Sequence, residues 1–270
     1  MVAPLGGVRP SPAVANRQDG AVQGIAFGVD VGGSGIKGAP VDLATGELAA
    51  ARFKAPTPQP ATPDAVAGVI GKVVAHFGWD GPVGCTFPGV VMQGVARTAA
   101  NMDPAWVGTD VAGVVGAAVG AKVTAVNDAD AAGLAEVLYG AARGRDGLVL
   151  VVTLGTGIGT ALVYEGRLIP NLELGHIELG GVDAETRASA AAREHQGLDW
   201  ERWARRLQRY FRALEDYLWP ELIVVGGGVS RRADRFIPLL QLRTPIVAAT
   251  LENRAGTVGA AVLSQISAGG

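Results

Sequence analysis

The sequence predicts an α/β chain made of two copies of one unit, folded as two lobes with a cleft between them. Three observations carry this. Ile25 to Val31 and Leu148 to Leu154 are apolar, β-branched runs of strand length, and each leads through a Gly-rich turn into a second apolar run. Asp30 to Val41 lie opposite Thr153 to Tyr164 at a separation of 123 residues (153 − 30), so the design is repeated. Along the rest of the chain, strand-like runs alternate with helix-like ones, the pattern of sheets covered by helices.

Composition narrows the function classes. The 270 residues suffice for one large or two modest domains, and 49% hydrophobic residues argue against disorder outside the ends. A net charge of −2 gives no overall pull toward nucleic acid or membrane, so neither is an expected partner and anion binding must come from local clusters. Residues 1–24 are expected as a disordered tail: Met1 to Gln23 are rich in Ala, Pro and Gly and lack the basic start and apolar core of a signal peptide. Cys85 is the one cysteine, so there is no internal disulfide and no zinc-type Cys/His spacing. A cytoplasmic location fits, with Cys85 as a small core residue. The uncharged run Gly147 to Tyr164 approaches transmembrane length, but its central Thr/Gly turn and β-branched content make it two buried strands.

In order, the first strand Ile25 to Val31 is followed by the turn Gly32 to Gly35 and a return strand, Ile36 to Leu43. Thr45-Gly46 is a turn, and Leu48 to Phe53 a third strand. Four prolines from Pro56 to Pro63 make a stiff loop. Pro63 then opens a helix that Gly78 stops near Phe77. Val83 to Phe87 is a short strand ending in Pro88-Gly89, at the strand end where open α/β sheets place ligands. A loop carries Asn101, Asp103 and Trp106, a helix spans about Asp110 to Gly120, and Val123 to Val126 is the next strand. The first lobe is expected at 25–126 and the second at 127–254, with a closing helix at 255–270 packing back on the first.

The second lobe begins with Asn127-Asp128-Ala129-Asp130, leading into a helix. Beyond the second hairpin, Glu173-Leu174-Gly175-His176 precedes a helical stretch, Ala184 to Leu218, expected to break once near Gln196-Gly197. Pro220 ends it. Leu222 to Val225 is a buried strand running into Gly226-Gly227-Gly228, with Ser230 placed to cap a following helix, and Pro245 to Ala249 is the last strand.

Chemistry concentrates in four places. A Gly-rich hairpin turn exposes backbone N–H groups with no Cβ in the way of an anion; each turn alone is an ordinary hairpin, whereas two facing copies clamp a phosphate chain. Gly33-Ser34-Gly35-Ile36-Lys37-Gly38 formally fits a dinucleotide fingerprint, but a strand follows it, and no P-loop string occurs. Asn127 and Asp128 either cap their helix or stand at the cleft, where an aspartate accepts a hydroxyl proton. Glu173 and His176 either hold adjacent sugar hydroxyls or form a surface loop. Arg202, Arg205, Arg206, Arg209 and Arg212 share one helical face, either a solvated surface or a track for a long polyanion.

Taken together, Asp30 to Lys37, Leu154 to Gly159, Val225 to Gly228, Asn127-Asp128-Ala129 and Glu173 to His176 resemble the ROK sugar kinases. Thr57 to Pro63, Thr98 to Asn101, Asn127 to Glu136 and Arg243-Thr244-Pro245 further resemble the actinobacterial polyphosphate glucokinase branch of that family, which includes the polyphosphate/ATP glucomannokinase type. The resemblance spans about Phe27 to Ala261.

It implies the duplicated actin-like ATPase (ribonuclease H-like) fold and phosphorylation of glucose, and of mannose, at the 6-hydroxyl from inorganic polyphosphate or ATP with Mg2+. Asp128 would be the general base. Asn101, Asn127, Glu173, His176 and Glu185 would hold the other hydroxyls, and Pro88 and Gly89 would shape the pocket. Asp30 would face the magnesium-bound phosphate through water. Gly32, Gly33, Ser34, Lys37, Thr153, Gly155, Thr156, Gly157 and Gly159 would line the phosphate channel, with Gly227 and Gly228 against adenine. Many ROK kinases carry a zinc-binding cysteine cluster where this chain has Val182 to Ser189, so zinc is not expected. A homodimer is common among such proteins. The alternatives are an ATP-dependent kinase for another hexose and a ROK-type sugar sensor; for the sensor's DNA-binding helix pair, residues 1–24 are too short.

Overall fold

The computed structural model describes residues 24–266. The expected tail therefore lies outside the described residues except for Gly24, as do positions 267–270 of the closing helix.

The first sheet is built around β1 (Ile25–Val31), which pairs antiparallel with β2 (Gly35–Asp42); β2 pairs antiparallel with β3 (Phe53–Pro56). On the other side β4 (Val83–Phe87) runs parallel to β1, and β7 (Val123–Asn127) parallel to β4. A small hairpin, β5 (Val91–Met92) with β6 (Val95–Ala96), stands apart. The second sheet comprises β8 (Leu148–Leu154), β9 (Ile158–Tyr164), β10 (Arg167–Ile169), β11 (Leu222–Gly226) and β12 (Ile246–Ala248). Its order, β10-β9-β8-β11-β12, matches β3-β2-β1-β4-β7 strand for strand and direction for direction. The duplication seen in the sequence is a duplication of topology.

Helices occupy matching places. α1 (Pro63–His76) and α2 (Val111–Val119) flank the first sheet. α4 (Glu185–Ala188), α5 (Ala190–His195) and α6 (Trp200–Leu218) lie between β10 and β11 in the chain. α3 (Asp128–Tyr139) and α7 (Ala255–Ile266) each follow the last strand of their sheet, and they pack on one another. Glycine permits α7 to lie close on β1, β4 and α3. A Cβ at Gly28 would lie 1.9 Å from Thr257 O, one at Gly84 1.7 Å from Ala260 O, and one at Gly259 1.8 Å from Ala131 O. The buried Glu136 carboxylate accepts from the backbone N–H groups of Ala141, Thr250 and Leu251, tying the end of α3 to the start of the closing segment.

Residues that cap helices act as expected from local chemistry. The Asp110 carboxylate accepts from Gly113 N at 2.9 Å, Gly120 ends α2 at φ +68, and Asp199 accepts from Arg202 N at 2.7 Å. Phe27, Ile70, Phe87 and Trp106 anchor the first core, and Leu150, Trp203, Tyr210, Phe211 and Phe236 the second. Cys85 is buried in the first core, which pushes its thiol up to about 12 and makes it inert.

Four expectations need correction. Val31↔Ile36 closes the first turn, whereas Leu154↔Ile158 closes the second, so the second is one residue tighter and the separation falls from 123 to 122 (158 − 36) beyond it. The third strand does not form over Leu48 to Phe53. Leu48 makes a single bridge to Val41, the three alanines after it offer nothing to pack, and pairing starts at Phe53. The 184–218 stretch breaks twice, because Ser189 leaves the helical region and its hydroxyl caps Ala192 N at 3.1 Å. After the third glycine turn comes a kinked 3-10 segment, Gly228–Arg235, in which Ser230 Oγ donates to Gly227 O rather than capping.

Candidate active site

Asp30 is the next-to-last residue of β1, and register places Lys37 opposite it, with Nζ 3.3 Å from Oδ2. On the other side Thr86, from β4, donates its hydroxyl to Asp30 Oδ1 (3.2 Å) and accepts from Val31 N (2.9 Å). The carboxylate is thus held from both neighbouring strands. In the adjoining turn Gly32 and Gly35 exchange backbone bonds. Gly33 and Ser34 are exposed, and among the described residues their amides take no hydrogen bond. Asn101 lies alongside, its Cβ 3.5 Å from where a Cβ of Gly33 would be.

The second turn is braced differently. Gly155 N donates to Gly157 O, and Glu185 Oε2 accepts from Ile158 N at 2.7 Å. A Cβ on Gly157 would lie 2.3 Å from that carboxylate oxygen, so Glu185 is seated on the turn. Thr153 stands opposite Gly159, and a Cβ on Gly159 would be 2.6 Å from Thr153 Oγ1 and 2.8 Å from the Ala129 methyl. This brings the turn against the start of α3. Gly227, at φ +83, approaches Leu154 O so closely that a Cβ would sit 2.3 Å away, while Gly228 faces open space. Thr156, Gly155 and Gly228 border one pocket of about 570 Å³.

At the seam, Asn127 caps α3 by accepting from Asp130 N (3.0 Å) and donates from Nδ2 to Gly89 O (3.0 Å). Its capping role is therefore real, and it also fixes the Pro88-Gly89 loop. Pro88 O accepts from Ala100 N at 2.9 Å, bracing that loop against the segment that carries Asn101. Asp128, half-buried in the first turn of α3, accepts from Ala129 N at 2.9 Å. Burial, then the negative charge of Asp30, push its carboxyl from 3.8 up to about 7, with Glu173 adding to the rise and the Ala129 N–H opposing it. Asp30, Asp128 and Glu173 thus share one electrostatic neighbourhood.

His176 is not a loose surface ring. Its Nδ1 lies 2.9 Å from Asp183 Oδ2 and its Nε2 4.0 Å from Glu173 Oε2. The hydrogen bond to Asp183 raises its pKa, with Glu185 and Glu173 contributing. Asp183 Oδ1 also accepts from Glu185 N, so one aspartate orients both.

The sequence did not single out Thr86, Asp183 or Asn171. Thr86 was visible as the only hydroxyl in an otherwise apolar strand; the others carry no spacing signal. Asn171 clasps Val91 through both backbone groups (3.0 Å each) and donates its own N–H to the buried Asp130 at 2.8 Å. Burial pushes Asp130 up to about 7, and its Oδ1 has no partner among the described residues.

The arginine stripe divides. Arg205, Arg209 and Arg212 line a groove of about 580 Å³, whereas Arg206 bonds Arg187 O and Gln196 Oε1, and Arg202 pairs with Asp199. Among the described residues, no three His, Cys, Asp or Glu side chains gather as a metal site, and no helix is long and apolar enough to cross a membrane.

Comparison with known proteins identifies the family. The ROK family model matches residues 26–194. A polyphosphate glucokinase of Mycobacterium tuberculosis is 54% identical over 88% of this chain and 90% of its own length. The crystal structure of an inorganic polyphosphate/ATP-glucomannokinase from Arthrobacter sp. strain KM is 52% identical, with a TM-score of 0.86 over 90% of this chain and 99% of that one. A ROK family glucokinase from Streptomyces griseus, solved with glucose and AMPPNP, is 26% identical, with a TM-score of 0.78 over 90% and 99%. The two mixed five-stranded sheets are the two lobes of this shared architecture. The chain belongs to the ROK family.

Proposed function

We propose that the protein transfers a phosphoryl group from inorganic polyphosphate or ATP to the 6-hydroxyl of glucose, and of mannose. The observation that carries this reading is the meeting of Asp128 with Asp30 and the second glycine turn at one seam. The similarity to a polyphosphate glucokinase and a glucomannokinase over about nine-tenths of the chain supports the substrate classes.

Phosphoryl transfer asks for positioning and charge neutralisation. The free amides of Gly33 and Ser34 receive phosphate oxygens, and Lys37 adds a cation beside Asp30. Asp128 aligns the hexose hydroxyl and takes its proton; a carboxyl near 7 is a stronger base than an ordinary aspartate. Glu173, His176 and Asn101 hold the remaining hydroxyls, with Asp183 fixing the imidazole and Pro88-Gly89 shaping the floor.

Mg2+ fits a site with one carboxylate, because it keeps several waters and takes its other ligands from the substrate phosphates. Asp30 is that carboxylate: Thr86 and Lys37 hold one oxygen each and fix its orientation. The ion, when bound, supplies charge neutralisation on the phosphates.

The test is an assay of purified full-length chain with glucose and each donor, reading glucose 6-phosphate. Product from both donors is expected. No product from either would overturn the reading, and product from ATP alone would remove polyphosphate.

A further inference from the structure

The pocket beside the second and third glycine turns has an outer wall that the reading above does not use. Arg193, Trp200 and Arg232 form it, in the same pocket as Gly155, Thr156 and Gly228. We propose that Arg193 and Arg232 grip the second and later phosphates of an inorganic polyphosphate donor, and so favour it over a nucleotide. This rests on the kinase reading and names the donor's subsite.

Three features support it. The Arg193 guanidinium lies over the Trp200 ring, 3.7 Å from its centroid, and its Nε is shielded from solvent with no hydrogen-bond partner among the described residues. A buried donor of this kind calls for an acceptor. Arg232 is exposed and has no carboxylate partner among the described residues, whereas its neighbours are engaged: Arg231 with Glu252 at 3.6 Å and Arg235 with Asp234 at 3.4 Å. Two guanidinium groups beside a phosphate-binding turn suit a ligand that repeats its charge, since each fork takes two phosphate oxygens.

The same wall suits a nucleobase less well. A base needs a flat apolar surface, and the one indole in the wall already carries Arg193 on its ring and stacks with Phe236 at 6.2 Å. Glu194 also lines the pocket and subtracts from its positive charge. The groove of Arg205, Arg209 and Arg212 is the rival site for a polyanion, but no residue of a glycine turn lines it.

The experiment compares long-chain polyphosphate, tripolyphosphate and ATP as donors at saturating glucose. Arg232→Ala is the primary variant because its side chain is exposed. It should raise KM for long-chain polyphosphate about 10-fold or more, the loss expected for a hydrogen bond to a charged group, and raise KM for ATP several-fold less. Arg193→Ala should act the same way; Arg193→Lys, which keeps the charge, should recover part of the loss and separates it from loosened packing at Trp200. Glu194→Gln should lower KM for polyphosphate. Equal losses on polyphosphate and ATP in Arg232→Ala would overturn the grip, and so would an unmoved Arg232→Ala beside a 10-fold loss in the Arg205→Ala/Arg209→Ala double variant. A wild-type chain inactive with every donor would instead overturn the kinase reading itself.

Discussion

The charge of Asp30, at the end of β1, opposes ionisation of Asp128, in the first turn of α3. Both residues stand at strand ends of the first sheet, Asp30 near the end of β1 and Asp128 directly after β7. Their coupling predicts how the protein responds to pH and to substitution.

Activity should fall as the pH drops below about 7, because Asp128 must be ionised to accept a proton. A kcat/KM profile with an acid limb near that value, flat above it, is the expected outcome. Asp130 lies in the same pH range, so Asp130→Asn should keep the limb; its loss in that variant would assign the titration to Asp130.

Stability should move the other way. A carboxyl raised from 3.8 to about 7 keeps its proton longer when folded, so folding stability falls as pH rises through that window and stays lower above it. Asp128→Asn removes the charge and should raise Tm at pH 8 more than at pH 5, by on the order of 2–4 °C for each kcal/mol relieved. Thermal denaturation at the two pH values checks this.

Thr86→Val should cost about 1–3 kcal/mol, since it leaves the buried Val31 N–H without an acceptor and frees one side of Asp30. Turnover should fall about 10-fold, with little change in KM for glucose. Chemical denaturation and steady-state kinetics separate the two effects.

Asp183→Asn should lower the His176 pKa, because the hydrogen bond to Asp183 is the largest cause of its rise. KM for glucose should increase by about 10-fold, and titration of the imidazole by NMR reports the shift directly.

Gly84→Ala tests the docking of α7. A Cβ there would lie 1.7 Å from Ala260 O, so the helix must move. A loss of about 3 kcal/mol or more is expected, at the upper end of overpacking costs, read as a fall in Tm.

What the sequence disclosed was what local pattern determines. Ile25–Val31 and Leu148–Leu154 are β1 and β8 to the residue, because buried strands are continuous apolar runs bounded by glycine. The start of α3 at Asp128 was legible because a polar cluster follows a strand there and opens a helix. Leu48 to Phe53 misled because three alanines carry too little β preference to decide pairing, which the edge contact of Phe53 to Pro56 with β2 settles instead. Thr86, Asn171 and Asp183 act on partners 55, 80 and 7 positions away, contacts that the fold creates and that no periodicity in the sequence marks.

The most direct test of the central claim is turnover of glucose by Asp128→Asn, with glucose binding measured on the same preparation by calorimetry. A fall of about 100-fold or more in kcat, with glucose affinity within a few-fold of the unsubstituted protein, is the predicted result. Turnover close to that of the unsubstituted protein would contradict the account.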